Sequence, residues 1–235
     1  MAFDIFARPF QALGKRCEFV AAGCTEREAN RWFQTAYKAI ESVQEKFNLH
    51  NDKSLLSLIH RQAGKHAIDC DRETITLLSQ SAWLLPDITL GERSVFIEKA
   101  SGKLDVEPFL SAYAADRAAS ILQSKSMRFG YLNLAGETRF LGTKPDQSPW
   151  HIGIYDPDDA TKLLARVPMY AGAISTSSAR NQAFKSLTVV ADTAFEANQI
   201  RLKAVHSESG SIQFLKASGK PFLAVDALGQ ITSAQ

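Results

Sequence analysis

The stretch DVEPFLSAYAADRA, residues 105–118, decides how this chain reads. Pro108 sits where a helix can begin, because the first helical turn has no use for the amide hydrogen that proline lacks. Phe109, Ala112, Tyr113, Ala119 and Leu122 carry the apolar spacing of that helix toward Ser124. An acid stands just ahead of the start. Asp105 either caps the helix N-terminus or binds a polar group of a ligand, and the positive end of the helix would favour a phosphate there. Asp116 and Arg117 fall in mid-helix, where solvation or pairing with neighbouring turns is expected.

Upstream, residues 16–21 read as a short strand. Thr25 and Glu28 then form a T-x-x-E capping box. Behind it Ala29, Trp32, Phe33, Ala36, Ile40, Val43 and Phe47 make one wide apolar stripe, so Trp32 and Phe33 are read as packing residues. The polar segment FNLHNDKSLLSLIHRQAG, residues 47–64, has loop chemistry at 48–53 and a short helix after Ser54. Asp71 caps a second long helix, with Ile75, Leu78, Ala82 and Leu85 on its apolar face and Pro86 at its end. Residues 87–104 are weakly patterned, with a short strand at 94–98 and a turn at Ser101-Gly102.

Downstream the pattern turns to strands, at 129–134, 138–141, 150–155, 173–176 and 186–191. Asp192 or Thr193 opens a last helix to about Val205, and a hairpin of 221–226 with 230–233 turns around Leu228-Gly229. Helices come first, strands follow, and the two do not alternate. That order predicts an α+β fold with a largely antiparallel sheet rather than a doubly wound parallel one. No linker or internal repeat interrupts it, so the expectation is one domain over 1–235, with 1–12 as an N-terminal extension.

Composition narrows the function classes. Apolar residues make up 45% of the 235 and charged residues 22%, as in an ordinary globular protein. The net charge is +2 and like charges do not run together, so neither a nucleic-acid surface nor a polybasic membrane anchor is indicated. The three cysteines, Cys17, Cys24 and Cys70, show no C-x-x-C spacing and read as buried thiols. No stretch has the length and apolarity of a membrane span. As given, the sequence points to the cytoplasm, and to the periplasm only if a leader has been removed.

Nucleotide, hydrolase and zinc signatures are missing: no Walker loop, G-x-S-x-G, H-E-x-x-H or G-x-G-x-x-G occurs. The five histidines, His50, His60, His66, His151 and His206, are scattered, which favours surface or hydrogen-bonded structural roles over ligand roles. Ser175, Thr176, Ser177 and Ser178 end a strand with four hydroxyls, either a cradle for a phosphate or ribose or a plain turn.

Taken together and in order, these segments resemble the ApbE-like family, the FAD:protein FMN transferases. Leu13-Gly14-Lys15 before Cys17-Glu18-Phe19 is similar to the family's opening Met-Gly-Thr strand. The loop FNLHNDKSLLSLIH is similar to its aromatic-bearing loop, with His50 at the aromatic position, Ser54 kept and His60 in place of an Asn. Asp105, Tyr113, Ala114, Ala115, Asp116 and Arg117 match its central D-x-G-G-x-x-K-G-Y-A-A-D-R signature. Asn133-Leu134-Ala135-Gly136-Glu137, Trp150-His151-Ile152-Gly153-Ile154 with Asp156-Pro157, Ala173-Ile174-Ser175-Thr176-Ser177 and the strand at 186–191 follow in family order.

The resemblance implies a reaction in which the FMN half of FAD passes to a threonine hydroxyl of a target flavoprotein and AMP leaves, with a divalent metal, usually Mg2+, at the pyrophosphate. It places Leu13, Gly14, His50, Asp105, Ser111, Tyr113, Ser175, Thr176 and Ser177 at the cofactor. It also exposes departures. The metal positions correspond to Pro108, Asn198 and Leu202, which offer a bare carbonyl, a neutral amide and a hydrocarbon where hard oxygens are needed. The Gly-Gly pair is Glu107-Pro108, and Ser111 stands at a Lys or Glu position. Two loops that wall the flavin are cut short, at 178–185 and at Thr89-Leu90-Gly91-Glu92. Two readings follow: a flavinyl transferase homologue with FAD in its cleft and weak or lost transfer, or a non-catalytic protein that keeps the fold for partner binding or assembly. The oligomeric state is not legible in the sequence.

Overall fold

The computed structural model describes residues 3–85, 87–177, 184–207 and 210–234. Pro86 and Ser178 lie outside the described residues. The chain opens with a hairpin of β1 (Ile5–Ala12) and β2 (Lys15–Ala22). Helix α1 (Glu26–Lys46) follows, and both halves of the Thr25–Glu28 capping box form. Then come α2 (Leu55–Arg61) behind an Ser54 cap, β3 (Ile68–Asp69), and α3 (Arg72–Ser81) behind an Asp71 cap. The α-helix stops at Ser81 and tightens into one 3-10 turn, Ala82–Leu84, so Ala82 is exposed rather than on an apolar face while Leu85 is buried beyond the helix.

Strands β4 (Ile88–Leu90) and β5 (Ser94–Ile97) lead to α4 (Glu107–Ser124). Next are β6 (Gly130–Leu134), β7 (Glu137–Phe140), β8 (Trp150–Tyr155), β9 (Leu163–Met169), β10 (Ala173–Ser177) and β11 (Phe184–Ala191). The chain ends with α5 (Ala194–His206), α6 (Ser211–Ala217), β12 (Phe222–Asp226) and β13 (Ile231–Ala234). The fold is thus α+β with antiparallel strands. Among the described residues an eight-stranded sheet runs in the order β1-β2-β6-β7-β10-β11-β12-β13, and each neighbouring pair is antiparallel.

Period-two alternation gives the sheet two different faces. In β2, Cys17, Phe19 and Ala21 join the core under the helices, whereas Val20 and Ala22 face the opposite way and pack with Trp150, Met169 and Ile174. Helix α4 is the central beam. Ala112, Ala114, Ala115, Ala118 and Ala119 are all buried, and their small side chains let it lie close to α1 and the sheet. Phe109 and Leu122 fill the space at its two ends without exposure.

Several elements escape the sequence reading. Residues 5–12, expected as an extension, pair along their length with β2. β9 forms a separate hairpin with β8, β3 and β4 flank the expected strand β5 in a small sheet, and α6 adds a second late helix. Asp116 is neither solvated nor paired with a neighbouring turn. It accepts the Ala194 and Phe195 amides at 3.0 and 2.8 Å and pairs with Arg139 at 3.1 Å, which locks the start of α5 onto α4. Arg117 also reaches out of its helix, to Glu73 at 2.7 Å and to the Ala39 carbonyl at 3.0 Å.

Candidate functional site

Two cavities, of about 440 and 510 Å3, adjoin at Glu107 and Ser111 in the first turns of α4. The first is mainly apolar. Leu13 and Gly14 form one wall, at the tip of the β1–β2 hairpin. A two-residue loop of the type I′ kind matches strand twist with positive φ at both centres, and Leu13 and Gly14 have φ of 53° and 68°. The Leu13 amide donates to Gln44 Oε1 at 2.7 Å, which ties this less accommodating residue to α1. Phe47, at the end of α1, and His50, in the loop after it, line the facing wall. Asp105 completes the wall from the loop ahead of α4. Its Oδ1 accepts the Glu107 amide at 3.0 Å, so it satisfies one of the open donors of that helix while it lines the cavity.

The second cavity is polar, between Lys15, Thr176, Ser177, Ala135, Arg201 and Leu202. The β6–β7 turn shapes one side. Gly136 has φ of 97°, and a Cβ there would meet the Thr176 carbonyl oxygen at 2.6 Å, so only glycine fits. Asn133 Oδ1 accepts the Gly136 amide at 3.1 Å and holds the turn. At the boundary of the two cavities Lys15 pairs with Glu107 at 2.8 Å, both side chains being well exposed.

Beneath the polar cavity lies a buried cluster. Arg201 donates through Nε to Ser175 Oγ at 2.7 Å and through Nη2 to Glu137 Oε1 at 3.2 Å. Asn198 Nδ2 donates to Glu137 Oε1 at 2.9 Å and to the Pro108 carbonyl at 3.1 Å. Both of those partners are acceptors, which fixes the amide with its nitrogen toward them. Asn198, Arg201 and Leu202 stand at i, i+3 and i+4 on α5 and so share one face. Burial pushes the Glu137 carboxyl above the ordinary range, and Arg201, Asn198 and Ser175 pull it back. Glu137 Oε2 and Asn198 Oδ1 are buried and have no hydrogen-bond partner among the described residues.

The structure therefore gathers Leu13, Gly14, His50, Asp105 and Ser111 around the apolar cavity, and Ser111, Thr176 and Ser177 around the polar one. Thr176 borders the cavity while its hydroxyl is bonded to Thr188 Oγ1 at 3.1 Å on the neighbouring strand, and two other expected residues are elsewhere. Ser175 is wholly buried and committed to Arg201. Tyr113 lies on a different surface of α4, in a hollow with Glu73 and Arg117, where burial and the Glu73 carboxylate push its phenol well above the usual value. Ser111 and Tyr113 are two positions apart on a helix, so they cannot face one cavity. The sequence reading names Glu137 only as the end of a segment and does not single out Arg201. The available signal was a carboxylate inside a strand and an arginine one turn after Asn198.

The ApbE family model matches residues 84–195. An ApbE protein from Thermotoga maritima has the same fold at a TM-score of 0.82 and 16% identity, over 99% of this chain and 97% of that one. The flavin transferase ApbE of Vibrio cholerae gives 0.85 at 14% identity, over 99% and 97%, and the flavinyl transferase ApbE of Pseudomonas stutzeri 0.81 at 14%, over 98% and 94%. No curated protein sequence matches the chain. The chain has the fold of these ApbE proteins, and its residues 84–195 match the ApbE family model.

Proposed function

We propose that this chain keeps the two-part cleft of the ApbE fold for FAD or a related flavin and has weak or lost transfer of the flavin to protein. One observation carries the reading: the Asn198 amide nitrogen occupies the Pro108 carbonyl. Family-like chemistry would need three oxygens for a hard divalent cation at Pro108, Asn198 and Leu202. Here the carbonyl already accepts an N–H, the amide turns nitrogen rather than oxygen toward it, and Leu202 offers only carbon. The adjacent Glu137 carboxylate has its counter-charge in Arg201 at 3.2 Å. A doubly charged ion added to that neutral pair would meet a fixed guanidinium and too few donors. The residues present do not fit the metal.

The cleft itself supports binding of a flavin. Its apolar half can enclose a flat aromatic ring, and its polar half presents Ser177 and Lys15 to a sugar or phosphate. The Lys15–Glu107 contact must part for a ligand to span both halves; an exposed pair of this kind contributes about 0–1 kcal/mol, so it is a small barrier. Target flavoproteins are the partner class that the family suggests.

The test is to mix purified chain with FAD, with and without Mg2+, desalt, and read flavin absorbance, AMP release and flavin attached to a threonine-bearing target segment. The expected outcome is retained FAD that chelator does not remove, with little or no AMP and that little unaffected by chelator. Chelator-sensitive AMP release overturns the proposal. Failure to retain FAD under either condition favours a fold kept for partner binding or assembly.

A further inference from the structure

His60, on α2, reaches the loop that joins β5 to α4. The Leu104 amide donates to His60 Nε2 at 2.9 Å, and the Leu104 carbonyl oxygen lies 3.2 Å from the same nitrogen. One ring atom therefore faces both a donor and an acceptor of one buried residue, which is 1% exposed. It can serve only one of them at a time. With a bare lone pair it accepts the Leu104 N–H, and the ring proton then sits on Nδ1. With a proton on Nε2 it must turn to the carbonyl, and the N–H loses its acceptor. The next two residues, Asp105 and Val106, line the apolar half of the cleft.

We propose that His60 is a positioning residue for this wall of the cleft and holds it only while the imidazole is neutral, so that acid loosens the loop carrying Asp105 and Val106. Whatever the cleft binds, the device operates on the free protein. The physical reason is the polarity of one hydrogen bond. A buried N–H without an acceptor is costly, and the cheapest relief is for the loop to shift toward water.

The surroundings act in the same direction. Burial holds the basicity of His60 below the usual histidine range, with Lys103 adding to that effect and the Leu104 carbonyl and Asp105 opposing it. Charged groups on the neighbouring elements are engaged elsewhere. Arg61, next on α2, donates to the Asp52 carbonyl. Glu98 and Lys99, beyond β5, bind Thr89 and Asp87, and Lys46, at the end of α1, pairs with Asp71. Because the folded state favours the neutral ring, the stabilisation is complete above an ordinary histidine value of about 6.5 and is lost as pH falls below it.

Two NMR readouts on the whole chain test the proposal. Long-range imidazole spectra should show His60 with its proton on Nδ1 at about pH 7.5. Amide-exchange protection of Leu104 and Asp105 should fall roughly tenfold between about pH 7.5 and 5.5, relative to Ala115 inside α4. His60→Asn offers both a donor and an acceptor without titrating, and should keep protection constant over that range. A proton on Nε2 at pH 7.5, unchanged protection in the unmodified chain, or the same loss in His60→Asn would each overturn it. Should His60→Asn fail to fold, the tautomer and the unmodified chain decide the matter.

Discussion

Asn198 donates its side-chain amide to the main-chain carbonyl of Pro108 across 3.1 Å, which joins α5 to the first turn of α4 at the floor of the cleft. Replacing the amide by a carboxylate removes that donor and sets a second negative charge beside Glu137, in a site only 1% exposed. Asn198→Asp should lower stability at neutral pH by about 3 kcal/mol. Urea denaturation measures it. If the walls of the cleft are otherwise intact, Asn198→Asp with Leu202→Thr should also acquire a rise in melting temperature with millimolar Mg2+ that the unmodified chain lacks.

Arg201 and Glu137 make a buried ion pair, with side-chain exposures of 10% and 5%. Breaking it is a different matter from replacing it. Arg201→Met strands the carboxylate and should cost about 3–5 kcal/mol at pH 7. A carboxyl whose folded pKa is raised loses stability as pH rises through the window between its unfolded and folded values. The defect in Arg201→Met should therefore shrink on acidification. Arg201→Met with Glu137→Leu should recover most of the loss, and denaturation at about pH 5 and 7 compares the three chains.

Asp116 accepts two amides from the first turn of α5 and pairs with Arg139. Asp116→Ala removes a helix cap and an ion-pair partner together and should cost about 2–3 kcal/mol. Asp116→Asn retains one acceptor and should lose about half as much. The ordering of the two variants in thermal unfolding checks the assignment, since a solvated mid-helix acid would leave both near zero.

The elements legible in the sequence were those whose own residues close a local circuit. Thr25 with Glu28, Ser54, Asp71 and Thr193 each cap their helix through a neighbour three residues away, and each is visible as a pattern. Pro108 marked the start of α4 for the same reason. Strands made by long-range pairing were harder. β1 carries Arg8 and Pro9 between its apolar residues and becomes a strand only because β2 supplies its partners in register. β9 contains Pro168, which argues against a central strand, and it is indeed one of two strands in a small sheet apart from the main one.

The candidate site divides along the same line. Leu13, Gly14, His50, Asp105 and Ser111 were found through ordered motifs, and the structure gathers them. Ser175 and Tyr113 belong to the same motifs, yet their side chains point elsewhere. A motif gives the position along the chain, whereas helix phase and sheet alternation set the direction. Glu137 enters only as the end of the Asn133–Glu137 segment and Arg201 not at all, because their pairing crosses 64 positions of sequence and no short pattern records it.

That division yields a binding test. Tyr113→Phe should leave flavin affinity within about twofold, because the phenol lies in the hollow with Glu73 rather than in the cleft. Ser111→Trp places a large ring where the two cavities adjoin and should abolish binding to the folded chain. Flavin fluorescence quenching measures both. Equal losses would mean that the ligand sits on the Tyr113 side of α4.

The three thiols should separate by accessibility and by basicity. Cys17 and Cys70 are buried, and Cys24 is half-buried behind the first hairpin. Burial, with Asp71 adding to it, pushes the Cys70 thiol up to about 11. Burial raises Cys17 and Cys24 as well. The thiolate is the reactive form, so at about pH 8 each group reacts slowly and Cys70 is held back twice, by access and by its protonation. A chromogenic disulfide reagent should modify Cys24 first in the native chain. Cys17 and Cys70 should follow only at the rate of unfolding, and in urea all three should react together. Fast native modification of Cys70 would mean that the packing of α3 against the end of α1, held by Lys46 and Asp71 at 2.6 Å, opens far more readily than that contact implies.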